Sequence, residues 1–199
     1  MMMRFRALMM TALVGLGVTT VMAGCKSTAD VLNVGDAATK QNAGACPRAF
    51  AIYDAARIVE FRGEAEAFAN VGFTGEIANV RSLCRYYNAE PITGDIEITF
   101  DFGRGPAATQ NTATYEYFVA IMRKNIAVMN KETFPLQVTF PAGADRVRVT
   151  EKIDNFTIPR ATETTSGENF EIVVGFELTS KQRQFNAEGR RFRISAGQN

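Results

Sequence analysis

The sequence predicts an all-β protein built as a single antiparallel β-sandwich, with a small β-barrel as the alternative. Three observations carry this. Residues 95–102, Asp-Ile-Glu-Ile-Thr-Phe-Asp-Phe, alternate polar and apolar without a break, the pattern of a strand with one face on a core. Residues 170–178 repeat it through Phe170, Ile172, Val174, Phe176 and Leu178. Turn signals recur at intervals of about ten residues and no helix-period run exceeds two turns, the spacing of many short antiparallel strands. Composition agrees: the 199-residue chain has 15 Phe and neither His nor Trp, and its abundant Val, Ile and Thr suit strands.

The folded part begins at Cys46-Pro47. Phe50, Ile52, Ile58, Val59 and Phe61 mark one bent strand or two short ones, with Asp54-Ala55-Ala56 as the break. Residues 62–70 read as a loop. Residues 71–87 form a long extended run in which Phe73, Gly75 and Ile77 keep one phase. Val80 and Cys84 need a phase shift, which marks a bulge or bend. In 95–102, Ile96, Ile98, Phe100 and Phe102 face the core. After a loop at 103–112, residues 115–122 are apolar on both faces and form a central strand. Arg123-Lys124-Asn125 is a turn and 126–129 its hairpin partner. Leu136, Val138 and Phe140 alternate between Pro135 and Pro141, so this strand is short or peripheral. Val147, Val149, Ile153, Phe156 and Ile158 form a strand kinked near Asp154-Asn155, and 159–168 is a polar loop. Thr179 with Gln182 fits a capping box, so 180–186 is a helical turn or two. The sandwich expected is of the immunoglobulin-like or a similar kind.

The leading segment has a different character. Arg4 and Arg6 precede an apolar run over residues 7–21, followed by Met22-Ala23-Gly24 and Cys25. This is the three-part layout of a secretory signal. The stretch Val21-Met22-Ala23-Gly24-Cys25 resembles the lipobox of bacterial lipoproteins, with Met22 where Leu is usual. The resemblance implies cleavage before Cys25 and lipidation of Cys25, which would become the N-terminus. Lys26 in place of Asp then implies sorting to the outer membrane of a Gram-negative cell, facing the periplasm. The cell surface and the inner membrane are the alternatives. Two or more acyl chains anchor stably, each buried CH₂ contributing about 0.8 kcal/mol. With Cys25 acylated, Cys46 and Cys84 remain as an even pair. In an oxidising compartment such a pair reads as a disulfide, two separate buried thiols being the alternative. The chain thus divides into a signal peptide (1–24), a lipidated Cys and flexible tether (25–45), a β-sandwich (46–187) and a polar, basic tail (188–199). About 20 residues of tether reach an r.m.s. span of roughly 25 Å.

Charge and chemistry narrow the function. The chain has 22 cations and 21 anions, so no overall field favours nucleic acid. A catalytic triad needs an imidazole, and there is none. Ser-x-x-Lys does not occur, and Ser180 and Lys181 are adjacent. A metal site would need oxygen ligands. Asp145, Glu151 and Asp154 are close in sequence but lack a binding-loop pattern, so no metal or cofactor is expected. Glu97, Asp101, Glu171 and Glu177 take the outward phase of their strands, where nothing desolvates a carboxyl into a general acid. Gly103-Arg104-Gly105-Pro106 follows a strand, but no amphipathic helix follows it, so it reads as a turn rather than a phosphate cradle. In the tail, Arg190, Arg191 and Arg193 beside Phe192 could contact an anionic partner; the alternative is a solvated terminus.

The expectation is a non-enzymatic accessory or structural subunit of an envelope assembly, held to the membrane by its N-terminal lipid and bound to an envelope protein partner through exposed strand edges. A glycan- or lipid-binding module using Tyr86, Tyr87 and Tyr115 is the alternative. Globomycin should accumulate a larger precursor, and Cys25→Ser should shift the protein out of the membrane fraction on fractionation and blotting; an unchanged distribution of the variant would remove the anchor.

Overall fold

The computed structural model describes residues 42–192. Cys25 with its lipobox-like segment, and Arg193 in the tail, lie outside the described residues. The elements are β1 (Arg48–Ala51), β2 (Arg57–Phe61), β3 (Val71–Arg85), β4 (Ile92–Arg104), β5 (Thr112–Arg123), β6 (Ala127–Thr139), β7 (Arg146–Ile158), β8 (Phe170–Phe176) and a helix α1 (Ser180–Ala187). The strands form two four-stranded sheets, ordered β1-β8-β5-β6 and β2-β3-β4-β7. All pairings are antiparallel except β1 with β8. The fold is an all-β sandwich, and neither sheet closes into a barrel.

The alternating strands place their apolar phase between the sheets. Ile96, Ile98, Phe100 and Phe102 of β4 are all buried, opposite Tyr115, Tyr117, Ile172, Val174 and Phe176. The phase change in β3 is a register shift between Ile77 and Asn79. β5 lies inside its sheet, between β8 and β6; Tyr115, Tyr117 and Val119 take the buried phase, and the outer phase changes from exposed Thr114 and Glu116 to half-buried Phe118 and buried Ala120. The kink in β7 sits at Asn155, whose φ of 61° is the left-handed conformation that Asn tolerates best among residues with a Cβ. The capping box at α1 is present: Thr179 Oγ1 accepts from the Gln182 amide at 3.2 Å, and Gln182 Oε1 accepts from the Thr179 amide at 2.9 Å.

Of the two readings of residues 49–61, the structure has the two short strands: a 3-10 turn at Tyr53–Ala55 divides them into β1 and β2, which belong to different sheets. One strand assignment needs correction. The segments 126–129 and 136–140, read as separate strands, are joined by one long strand, β6, which runs from Ala127 to Thr139 with Pro135 inside it. Pro135 is tolerated because β6 lies at a sheet edge, where a missing N–H leaves no ladder bond unmade.

Among the described residues, those ahead of Cys46 also make specific contacts. Cys46 and Cys84 form a disulfide between the start of β1 and the end of β3. Asn42 donates from Nδ2 to the Cys84 carbonyl at 2.9 Å and accepts from the Tyr86 amide at 3.3 Å. The buried Tyr86 hydroxyl donates to the Ala45 carbonyl at 2.8 Å and accepts from the Gly167 amide at 3.1 Å. Arg160 lies over the Tyr86 ring, 4.7 Å from its centroid, and donates to the carbonyls of Glu90 and Asn88. The chain comes in at this end of the sandwich, here termed the N-terminal end.

Closing the loop of 38 residues between the cysteines contributes about 4 kcal/mol in the chain-entropy treatment. The Cys46→Ala/Cys84→Ala pair should lower unfolding free energy by roughly 2–4 kcal/mol in urea. Tyr86→Phe strips the partner from the Gly167 amide and should cost about 1–3 kcal/mol; a loss below a few tenths would show that water replaces the hydroxyl.

Candidate functional site

The outer face of the β2-β3-β4-β7 sheet carries a concavity of about 560 Å³. Strand register builds its floor. Arg57, Glu76, Asp101 and Arg148 lie directly opposite one another in one row across four strands. Val59, Thr74, Gly103 and Arg146 form a second such row. Gly103 contributes no side chain, so the floor dips beside Arg146. Arg146 and Arg148 share the outward phase of β7 because Val147 and Val149 take the inward one.

The wall comes from the end of the chain. Phe185 of α1 and Phe192 beyond it pack over Val59, Val71 and Phe61 on the outside of the sheet. Their rings stand 5.4 and 5.8 Å from that of Phe61. Gly189, at φ +71°, turns the chain after the helix, a conformation that costs glycine nothing. Asn186 donates to the carbonyls of Asp54 at 2.9 Å and Arg57 at 2.8 Å, fixing the helix to the sheet. Arg190 and Arg191 are thereby held over the concavity. Arg190 stacks on Phe185, 4.6 Å from its centroid, and pairs with Glu66 and Glu188. Arg191 donates to the Tyr53 hydroxyl at 2.8 Å.

Five arginines and two carboxylates line the site. Arg148 binds Asp101 through both carboxylate oxygens, at 2.6 and 2.7 Å. Those hydrogen bonds hold the Asp101 carboxyl below its ordinary range. Arg57 pairs with Glu76 at 3.3 Å. Glu76 and Asp101 face each other across β3 and β4, a like-charge opposition that an arginine on either flank offsets. The paired carboxylates hold the guanidiniums in fixed orientations, and a cationic excess remains. The arrangement can receive carboxylate or phosphate oxygens.

Of the expected contact residues, Arg190 and Arg191 line the concavity. Arg57, Arg146 and Arg148 join them and escape a linear reading, because no run of basic residues announces them. Arg146 and Arg148, two apart on a strand, were the available signal. Cys46 and Cys84 lie at the other end of β3. Tyr86 and Tyr115 are buried, so the aromatic surface that a glycan module would use does not include them. Asp145, Glu151 and Asp154 do not converge: Glu151 takes the inward phase of β7, and Asp154 pairs outward with Lys152 at 2.7 Å. Among the described residues no cluster of His, Cys, Asp or Glu has metal-binding geometry. Arg104, in the glycine-rich turn, donates to the carbonyls of Ala108 and Gln110. No described helix is long and apolar enough to cross a membrane.

Strand edges, expected as docking sites, are guarded. β1 has four residues and β6 carries Lys131 and Pro135. β7 projects Arg148 and Lys152, and α1 packs beside β2. Edge strand β2 also points Glu60 inward, where burial raises its carboxyl above the ordinary range although Arg62 pulls it back.

No protein-family model, curated protein or solved structure matches the chain.

Glu60 and Asp101 have opposite linkage. Glu60 is protonated in both states well below its ordinary value of about 4.3, and above that value the unfolded chain ionises first. Its contribution to stability therefore falls as pH rises through the folded value. Glu60→Gln should raise Tm at pH 7, and the gain should vanish below about pH 4. Asp101→Asn should behave in reverse, costing stability at neutral pH and progressively less as pH falls below the ordinary carboxylate range and through the folded value. Thermal melts across pH check both; equal effects at all pH values would deny the linkage.

Proposed function

We propose that this protein is a lipid-anchored accessory of the bacterial envelope, a binding subunit rather than an enzyme, which presents its arginine-lined concavity to an acidic face of a protein partner. The lipobox-like segment ending at Cys25 supports the anchor and the periplasm-facing outer-membrane address. The observation that carries the binding role is the concavity: five arginines converge from two strands and the tail, and two aromatic rings pin the tail in place. Arginine presented in this way suits planar, bidentate recognition of carboxylates. An anionic glycan would have to use the same arginines, since Tyr86 and Tyr115 are withdrawn into the core.

In-cell crosslinking of the full-length protein, followed by mass spectrometry, tests this. A dominant protein partner is expected. The Arg146→Ala/Arg191→Ala pair should lower its recovery about tenfold, equivalent to about 1.4 kcal/mol, while the melting temperature stays close to that of the parent. Recovery unchanged in the variant counts against the concavity, and anionic glycan in place of protein moves the site to the alternative class.

A further inference from the structure

The β5–β6 hairpin ends in an apolar tip that the fold leaves in solvent. Ile126, Val128 and Met129 are 74%, 55% and 44% exposed. The tip is rigidly set. Asn125, at φ 58°, makes the turn, the Lys124 amide donates to the Asn169 carbonyl at 2.9 Å, and Arg123 lies 5.1 Å from the centroid of Phe170. Arg123, Lys124 and Lys131 bracket the apolar residues, and residues 123–131 hold no acid. Single exposed apolar side chains are ordinary; three together on one hairpin end, rimmed by cations, are not.

Register places this tip. Arg48, Glu171, Met122 and Val128 lie in one row across β1, β8, β5 and β6. The hairpin tip therefore projects from the N-terminal end of the sandwich, the end at which Asn42, Cys46 and Pro47 lead the chain in. The concavity lies toward the opposite end. Residues 26–41 separate Cys25 from Asn42, a span of at most about 60 Å. An acyl chain on Cys25 would hold the N-terminal end near the bilayer.

We infer that the β5–β6 tip is a second membrane contact, in which Ile126, Val128 and Met129 enter the interface of an anionic phospholipid surface and Arg123 and Lys124 meet its headgroups. The inference rests on the lipid-anchor reading for the direction in which the N-terminal end faces. An apolar group with a basic rim is the composition that binds such an interface. Two attachments, one covalent and one interfacial, would orient the sandwich, setting the concavity away from the membrane.

The chain has no Trp, so Ile126→Trp puts a single fluorophore at the tip and Phe68→Trp puts one at the opposite end. The full-length protein purified from the envelope is studied with vesicles of phosphatidylglycerol and phosphatidylethanolamine. Emission from Ile126→Trp should shift to shorter wavelength and be quenched by lipid brominated in its acyl chains, while Phe68→Trp should keep its aqueous emission. Adding Lys124→Ala should lower the ratio of inserted to free tip about fivefold on these vesicles and leave it unchanged on phosphatidylcholine. Aqueous emission from Ile126→Trp in protein that floats with the vesicles would overturn the inference and return the tip to a protein partner. Labelled palmitate on Cys25 is read separately. Without it the anchor fails, yet tip emission with added vesicles still decides whether the hairpin enters lipid.

Discussion

The structure depends on aromatic packing between the two sheets. Phe100 and Phe102 extend from β4 toward Tyr115 and Tyr117 of β5 and Phe176 of β8. Ring centroids are 4.5 Å apart for Phe102 with Tyr115, 5.0 Å for Phe100 with Tyr117 and 5.8 Å for Phe100 with Phe176. Such contacts contribute about 0.5–1.5 kcal/mol each beyond the apolar area they bury. The tyrosines bring hydroxyls to a dry interior and must satisfy them. Tyr115 donates to the Thr74 carbonyl of the facing sheet at 3.3 Å, and its burial keeps the phenol protonated. No buried side-chain nitrogen or oxygen lacks a partner among the described residues. Gly75 allows this closeness, since a Cβ there would stand 2.9 Å from both Ile58 and Phe102.

The two ends of the sandwich are finished differently. The N-terminal end is tied by polar and covalent links: the disulfide, the Asn42 amide, the Tyr86 hydroxyl and the Arg160 guanidinium. These hold irregular backbone, which has no ladder of its own to satisfy its carbonyls. The opposite end is closed by a small apolar cluster outside the main core, in which Phe185 and Phe192 cover Val59 and Val71. That second cluster makes the concavity possible, because it lifts the tail over the charged rows without filling the space above them.

The charged rows follow from burial on the other face. Once Ile58, Ile77, Phe100 and Val149 turn toward the core, Arg57, Glu76, Asp101 and Arg148 are committed to the outside by the two-residue period of a strand. Register then decides that they meet. The outcome is a row of two ion pairs, Arg57 with Glu76 and Arg148 with Asp101, whose guanidiniums are oriented by their carboxylates. Exposed pairs of this kind add little to stability, and their consequence here is the shape and charge of a surface.

The sequence alone determined the fold class, the core phase of β4 and β8, the shift within β3, the kink in β7 and the capped helix. Each is a local pattern: alternation, a change of phase, or a side chain that reaches its own backbone. The lipobox-like address is local too and remains an expectation from sequence. Other features depended on tertiary structure. The division of residues 49–61 between two sheets, and the continuity of β6 through Pro135, depended on which strands occupy edges. The concavity joins Arg57, Arg146, Arg148, Arg190 and Arg191 from segments far apart in the chain. Strand pairing and the anchoring of the tail by Phe185 and Phe192 bring them together, because cross-strand register is set by the packed core; the two-residue spacing of Arg146 and Arg148 marks a shared face but not what lies opposite it.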